Sequence, residues 1–247
     1  EHNELRLYLQ PKLALHGQPG LAAEALVRWQ HPQRGLVPPV NFIPFAEQTG
    51  FVRQLTLWVF EEVARLLASP QARHLPLRVS VNLSTRDLLD PELSTRLAGI
   101  LARHGVQASA FCLEITESAI MDDPQRAEAM LNRLSEQGFK LSIDDFGTGY
   151  SSLAYLKRLP VDELKIDKSF VMGMEAGEDD AMIVRSTIDL AHNLGLTVVA
   201  EGVETAAILE RLRTLACDEA QGYHIALPLP VDDFLAWQAR QGEASPL

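Results

Sequence analysis

The stretch LSEQGFKLSIDDFGTGYSSL, residues 134–153, contains the alternation that decides the fold. A helical pattern ends at Gly138, KLSIDDF reads as a strand, and that strand stops on two adjacent acids, Asp144 and Asp145, before a Gly-Thr-Gly turn. Glycine just past a helix end accepts the left-handed backbone that stops it. The same order recurs where LARHG closes at Gly105 before FCLEITE, and where AHNLG closes at Gly195 before LTVVAEG. Helix starts carry caps, as in Ser84-Thr85-Arg86-Asp87 and Asp123-Pro124.

Extended along the chain, this grammar yields about eight strands. They are LYLQPKLAL, LAAEALVRW, LRVSVNLS, FCLEITE, KLSIDDF, ELKIDKS, TVVAEGV and the region EAQGYHIAL. HGQPG, between the first two, is too short for a crossover helix and predicts an antiparallel hairpin. Helical patterns over 53–68, 85–103, 124–137, 180–194 and 204–215 separate the others. Strands alternating with helices imply an α/β fold with a parallel sheet, and about eight of them a closed (β/α)8 barrel. The rival is an open doubly wound sheet, but no GxGxxG opens a helix here. No linker is long enough to divide the chain, so residues 1–247 read as one domain.

The composition is that of a globular domain, with 47% apolar and 22% charged residues. A net charge of −11, from 22 Lys+Arg against 33 Asp+Glu, argues against binding to long nucleic acid. The most apolar segment, LTLWVF (55–60), runs straight into Glu61 and Glu62, so no membrane contact is expected. Cys112 and Cys217 form no CxxC pair and read as buried, reduced thiols of a cytoplasmic domain. Starting at Glu1, the chain is expected to be a piece of a longer protein.

In a (β/α)8 barrel the site lies at the C-terminal strand ends. There the sequence places Asn82, Glu114 with Glu117, Asp144 with Asp145, Lys165 with Asp167, Glu201 with Glu204, and Gln221, while Glu24 lies within the second strand. Taken singly, each has a structural explanation. Glu204 reads as a helix cap, Lys165 as the ion-pair partner of Asp167 or Glu163, and Asn82 as a turn former. Together, Glu24, Glu114, Asp144, Asp145 and Glu201 would crowd negative charge into one mouth, which is costly without cations. The donors are all oxygen, with no His or Cys, which suits Mg²⁺ or Mn²⁺ better than zinc. Neighbouring acids on a strand point to opposite sides, so Asp144 and Asp145 are expected to serve different ions or to bridge two. Lys165 is the only cation expected at these strand ends, and Arg28, on the face of Glu24, could bind a non-reacting phosphate. A phosphodiester substrate fits these pieces.

EALVRW (Glu24 to Trp29) resembles the signature of the EAL-domain family, the bacterial phosphodiesterases of cyclic di-GMP. LYLQP, the run from EALVRWQHPQRGL to FAEQTG, VNLS, LEITES, LSIDDFGTGYSSLAYLKRLPVDELKIDKSF, VVAEGVET and AQGY follow in family order across nearly the whole chain. The resemblance implies a modified (β/α)8 TIM-type barrel whose first strand is antiparallel, as the hairpin also predicts. By family pattern Glu24, Asn82, Glu114 and Asp144 hold one divalent ion. Asp144 and Asp145, with Glu201 through water, hold the second. Lys165 and Glu201 are implied to lie beside the attacking water, with the general base left open between them. Gln10, Leu26 and Arg28 match substrate-contacting positions, and Asp167 and Gln221 match positions that support the centre. Glu117 matches an anchor of the DDFGTGYSS loop, and Glu204 is grouped with it.

The implied reaction is hydrolysis of cyclic di-GMP to linear pGpG, using water activated by two divalent cations, Mg²⁺ or Mn²⁺. The resemblance further implies a homodimer and regulatory domains elsewhere in the parent chain. One alternative is a catalytically weak cyclic di-GMP receptor, against which the intact acid set stands. Another is a Schiff-base lyase built on Lys165; carboxylates around an ammonium raise its pKa and suppress its nucleophilicity. The visible departure is ALPLP (226–230), where Leu227 stands in place of a basic residue common in relatives.

Overall fold

The computed structural model describes residues 4–16, 21–147, 156–175 and 177–243. Among the described residues there are ten strands: β1 (Leu5–Ala14), β2 (Leu21–His31), β3 (Gly35–Val37), β4 (Leu77–Leu83), β5 (Phe111–Thr116), β6 (Lys140–Phe146), β7 (Glu163–Ile166), β8 (Thr197–Ala200), β9 (Glu219–Ala220) and β10 (Leu229–Pro230). Around them lie α1 (Ile43–Thr49), α2 (Val52–Ala68), α3 (Thr85–Leu88), α4 (Leu93–His104), α5 (Glu117–Asp122), α6 (Pro124–Glu136), α7 (Lys168–Gly173), α8 (Glu178–Asn193), α9 (Ala206–Thr214) and α10 (Val231–Glu243).

Strands β2 and β4 to β9 run parallel in sequence order, and β1 closes the ring by pairing antiparallel with both β9 and β2. The expected eight-stranded barrel with a reversed first strand is the observed one. Strands β3 and β10 add short antiparallel margins on β2 and β1. Part of the predicted HGQPG turn, residues 17–20, lies outside the described residues.

The predicted punctuation holds. Gly138 takes φ +93° directly before Phe139 and β6, with Gly105 and Gly195 also at positive φ after their helices. Ser84 and Asp87 form a reciprocal capping box, and the Asp123 carboxylate accepts from the Arg126 amide. One predicted helix, 85–103, is instead two, α3 and α4, broken at Asp90-Pro91. Proline has no amide hydrogen to give and turns the residue before it away from helical backbone. The last strand is also shorter than EAQGYHIAL, because its ladder stops at Ala220. A methyl group on Gly222 would lie 2.2 Å from the Val203 carbonyl oxygen, so the chain there is pressed against backbone rather than extended along it.

Alternation along the strands separates two interiors. Val79, Val81, Leu113, Ile115, Leu141, Ile143, Leu164, Ile166 and Val198 join the apolar layer beneath the helices, where Phe60 stacks on Phe111 at 4.2 Å. The intervening residues Ser80, Cys112, Glu114, Ser142, Glu163 and Lys165 are buried as well and face the barrel axis. Barrels are usually filled by branched apolar side chains; this one is filled largely by charge. Among the described residues no helix is long and apolar enough to cross a membrane.

Candidate active site

Each strand delivers its polar residue to the mouth by register. On the antiparallel β1–β2 pair Gln10 lies opposite Glu24, and on the parallel strands Asn82 aligns with Glu114. Glu24 is buried and held by two amides, Asn82 Nδ2 at 2.8 Å and Gln221 Nε2 at 2.6 Å. Gln221 also donates to Gln10 Oε1 at 3.1 Å, which ties the first strand to the last at the site.

Lys165 is the hub. Its fully buried ammonium lies 2.6 Å from Glu201, 2.7 Å from Glu114, 3.1 Å from Asp144 and 3.9 Å from Glu24. Desolvation disfavours the ammonium, but the four surrounding carboxylates win, and its pKa stands well above the ordinary lysine value. This favours the ammonium over the neutral amine that a Schiff base requires.

Burial raises Glu201 to about 8, with Asp144 and Glu24 adding to the rise against Lys165. Burial, reinforced by neighbouring acids, also raises Glu24 and Asp144. Glu114 goes the other way. Its burial is outweighed by Lys12 and Lys165, which hold it down at about 2.

Asp144 and Asp145 depart from the expected opposite orientations. The β6–β7 register shifts between Ile143 and Phe146, and Asp145 takes φ +54°. A left-handed residue at a bulge re-aims its side chain, and the result is convergence. Carboxylate oxygens of Asp144, Asp145 and Glu201 lie within 4.8 Å of one another. Asp145 also shares a hydrogen bond with Asp167; burial and that neighbour raise Asp145, while the Ser169 hydrogen bonds lower Asp167 against its own burial.

Beside this cluster opens a cavity of about 460 Å³ lined by Gln10, Glu24, Leu26, Asp144, Glu201, Glu204, Gln221 and Tyr223, with Lys168 and Met172 on its wall. Arg28 does not line it; its guanidinium lies over the Tyr8 ring, 5.6 Å from the centroid. Glu204 faces the cavity, and the cap of α9 is Thr205, whose hydroxyl accepts from the Ile208 amide. Asp167 caps α7 by accepting from the Ser169 amide. Glu117 Oε2 accepts from the Gly147 amide at 3.3 Å, at the start of the DDFGTGYSS loop, of which Thr148 to Ser152 lie outside the described residues.

Sequence reasoning missed Lys12, which is buried in the barrel beneath Lys165, so Lys165 is not the only cation among these groups. It also missed Lys168 and Tyr223 on the cavity wall. The spacing of Gln10 and Lys12 on one strand face was the available signal for the first. A donor set of carboxylates and amides only, strongly negative in sum, fits a hard divalent cation.

A (β/α)8-type barrel with an acidic, all-oxygen centre at its mouth defines the class. Within it the chain belongs to the EAL domain family, whose model matches residues 1–228. It is 42% identical over 237 residues to the bifunctional diguanylate cyclase/cyclic di-GMP phosphodiesterase MucR of Pseudomonas aeruginosa, covering 96% of this chain and 35% of that protein. It is 37% identical to the cyclic di-GMP phosphodiesterase PdeR of Escherichia coli, covering 97% and 36%. The chain thus spans about a third of the length of these relatives. Among solved structures, the PaMucR phosphodiesterase in complex with c-di-GMP superposes with a TM-score of 0.88 at 42% identity, covering 94% of each chain.

Proposed function

We propose that this domain hydrolyses one phosphodiester of cyclic di-GMP to linear pGpG, with divalent cations as cofactors. The observation that carries the proposal is the convergence of Asp144, Asp145 and Glu201 above a buried Lys165, next to a cavity walled by Gln10, Leu26 and Gln221. Named activities and a c-di-GMP complex among its relatives support the choice of nucleotide.

Glu24, Asn82, Glu114 and Asp144 would hold one Mg²⁺ or Mn²⁺, and Asp144 with Asp145 and Glu201 a second. Bound there, such ions supply Lewis acidity and lower the pKa of water. The protein's own part is placement. Asn82 and Gln221 fix both oxygens of Glu24, the bulge turns Asp145 inward, and Lys165 keeps Glu114, Asp144 and Glu201 gathered without letting them repel apart. Lys165 enters this chemistry as a fixed positive charge. Gln10 and Leu26 would orient the nucleotide from the wall, with Lys168 close to its phosphates; Arg28 would need to leave Tyr8 to reach it.

By the same reading the domain works in the cytoplasm, as a homodimer, within a longer protein whose other domains regulate it. The test is incubation of the purified chain with cyclic di-GMP in Mg²⁺, Mn²⁺ or EDTA, with products resolved by chromatography and mass. Metal-dependent pGpG is expected. Tight nucleotide binding without product would replace the enzyme by a receptor, and absence of both would refute the reading.

A further inference from the structure

The charged filling of the barrel is an ordered ladder. From the N-terminal end of the barrel upward, Glu219 meets Arg78 at 2.9 Å, Arg78 meets Glu163 at 3.1 Å, Glu163 meets Lys12 at 3.3 Å, Lys12 meets Glu114 at 2.9 Å, and Glu114 meets Lys165 at 2.7 Å. The signs alternate at every rung. Below Glu114 the ladder is balanced, two acids against two cations. The negative excess is therefore confined to the mouth, where Lys165 faces Glu24, Glu114, Asp144 and Glu201.

Lys12 occupies the rung under the site. It comes from the reversed strand β1, opposite the small Ala22, and crosses the barrel axis to groups on three other strands. Its fully buried ammonium donates to Ser80 Oγ at 2.8 Å, Glu114 Oε1 at 2.9 Å and Glu163 Oε1 at 3.3 Å, three acceptors for three hydrogens. Glu114 is thus gripped at both ends: Oε1 goes down to Lys12 and Oε2 goes up to Lys165.

We propose that Lys12 is a positioning residue, which by holding Oε1 of Glu114 commits that carboxylate to present only Oε2 to the mouth, where it serves a cation. The proposal rests on the metal-dependent reading of the site. Lys165 can be displaced from Glu114 when a cation enters, because both compete for Oε2. Lys12 cannot be displaced in that way, because it lies on the opposite side of the carboxylate. It is the partner that keeps Glu114 aimed in both states. Without it the carboxylate is free to turn and to chelate Lys165 with both oxygens.

The test compares Mn²⁺ binding, followed by electron paramagnetic resonance of the free ion, in the wild-type chain, Lys12→Met and Lys12→Met/Glu163→Gln, with melting temperatures in EDTA. The single variant takes one of two cationic partners from each of the buried carboxylates Glu114 and Glu163, leaving them Lys165 and Arg78, and is expected to melt lower. The double variant removes one charge of each sign, so it leaves the net charge of the ladder unchanged and should recover much of that loss. Both variants are expected to bind Mn²⁺ roughly 10- to 100-fold more weakly, the usual effect of removing a partner that orients a metal ligand. Recovery of melting temperature together with wild-type Mn²⁺ affinity in the double variant would overturn the proposal and reduce Lys12 to a counter-charge. Tighter Mn²⁺ binding in either variant would overturn it too, since Lys12 would then act only by repelling cations. Failure of the wild type itself to bind Mn²⁺ would overturn the metal-dependent reading first, and is distinguishable from either result.

Discussion

Replacing Lys165 with Met keeps most of the side-chain volume and removes the ammonium that lies within 3.9 Å of all four of Glu24, Glu114, Asp144 and Glu201. Breaking a buried ion pair from one side typically costs about 3–5 kcal/mol, because the remaining charge is left uncompensated. Here the ammonium contacts Glu201, Glu114 and Asp144 within 3.1 Å, so the upper part of that range applies. In a domain of this size about 1 kcal/mol corresponds to roughly 2–4 °C of melting temperature. The variant should therefore melt on the order of 10–20 °C below wild type in EDTA. Divalent cations supply the missing positive charge, and a ligand at about 100 times its dissociation constant returns about 2.7 kcal/mol. Calorimetric melts in EDTA and in a Mn²⁺ series test this directly. The gap between variant and wild type should narrow as Mn²⁺ rises, because the variant's carboxylates no longer have to be taken from a lysine. A variant as stable as wild type in EDTA, or one that Mn²⁺ stabilises less than wild type, would refute the picture of Lys165 as the charge that gathers the acids.

Asp144→Ala and Glu24→Ala should each abolish Mn²⁺ binding and cyclic di-GMP turnover together; turnover by Asp144→Ala equal to wild type would remove Asp144 from the centre. The metal-free protein should also lose stability as pH rises. Glu201, raised by burial to about 8, keeps its proton in the folded state long after the unfolded chain has released it near its ordinary 4.5. That contribution is complete below pH 4.5 and disappears as pH passes through 8, at no more than about 1.4 kcal/mol per pH unit. Denaturant titrations in EDTA at intervals from pH 5 to pH 8 should show the decline, and Glu201→Gln should flatten it. Gly222→Ala should destabilise the fold by about 1–3 kcal/mol or more, since its new methyl would meet Val203 backbone atoms at 2.2–2.6 Å. It should also lower nucleotide affinity by moving Gln221; unchanged melting and binding would show that the loop relaxes freely.

The chain order of strands and helices was legible in the sequence because its signals are local. A glycine such as Gly138, a cap such as Ser84 with Asp87, and an every-second-residue apolar pattern such as Leu141 and Ile143 act over a few residues of chain. So do the strand ends, which is why Glu24, Glu114, Asp144, Lys165 and Glu201 could be gathered on paper before their distances were known. The reversed first strand followed from one short connection. What depended on tertiary structure was whatever required register across the barrel. Nothing in strand alternation foretells a bulge, yet the positive φ of Asp145 is what brings it beside Asp144 and Glu201. The place of Lys12 depends on the offset of β1 against β2 and β9, which the side chains settle only when the ring closes. Its partners Ser80, Glu114 and Glu163 are 68, 102 and 151 residues away along the chain. The residue types at the mouth are written in the sequence, whereas the pairing of their charges is a property of the closed barrel, where low dielectric and fixed spacing decide which acid keeps which partner.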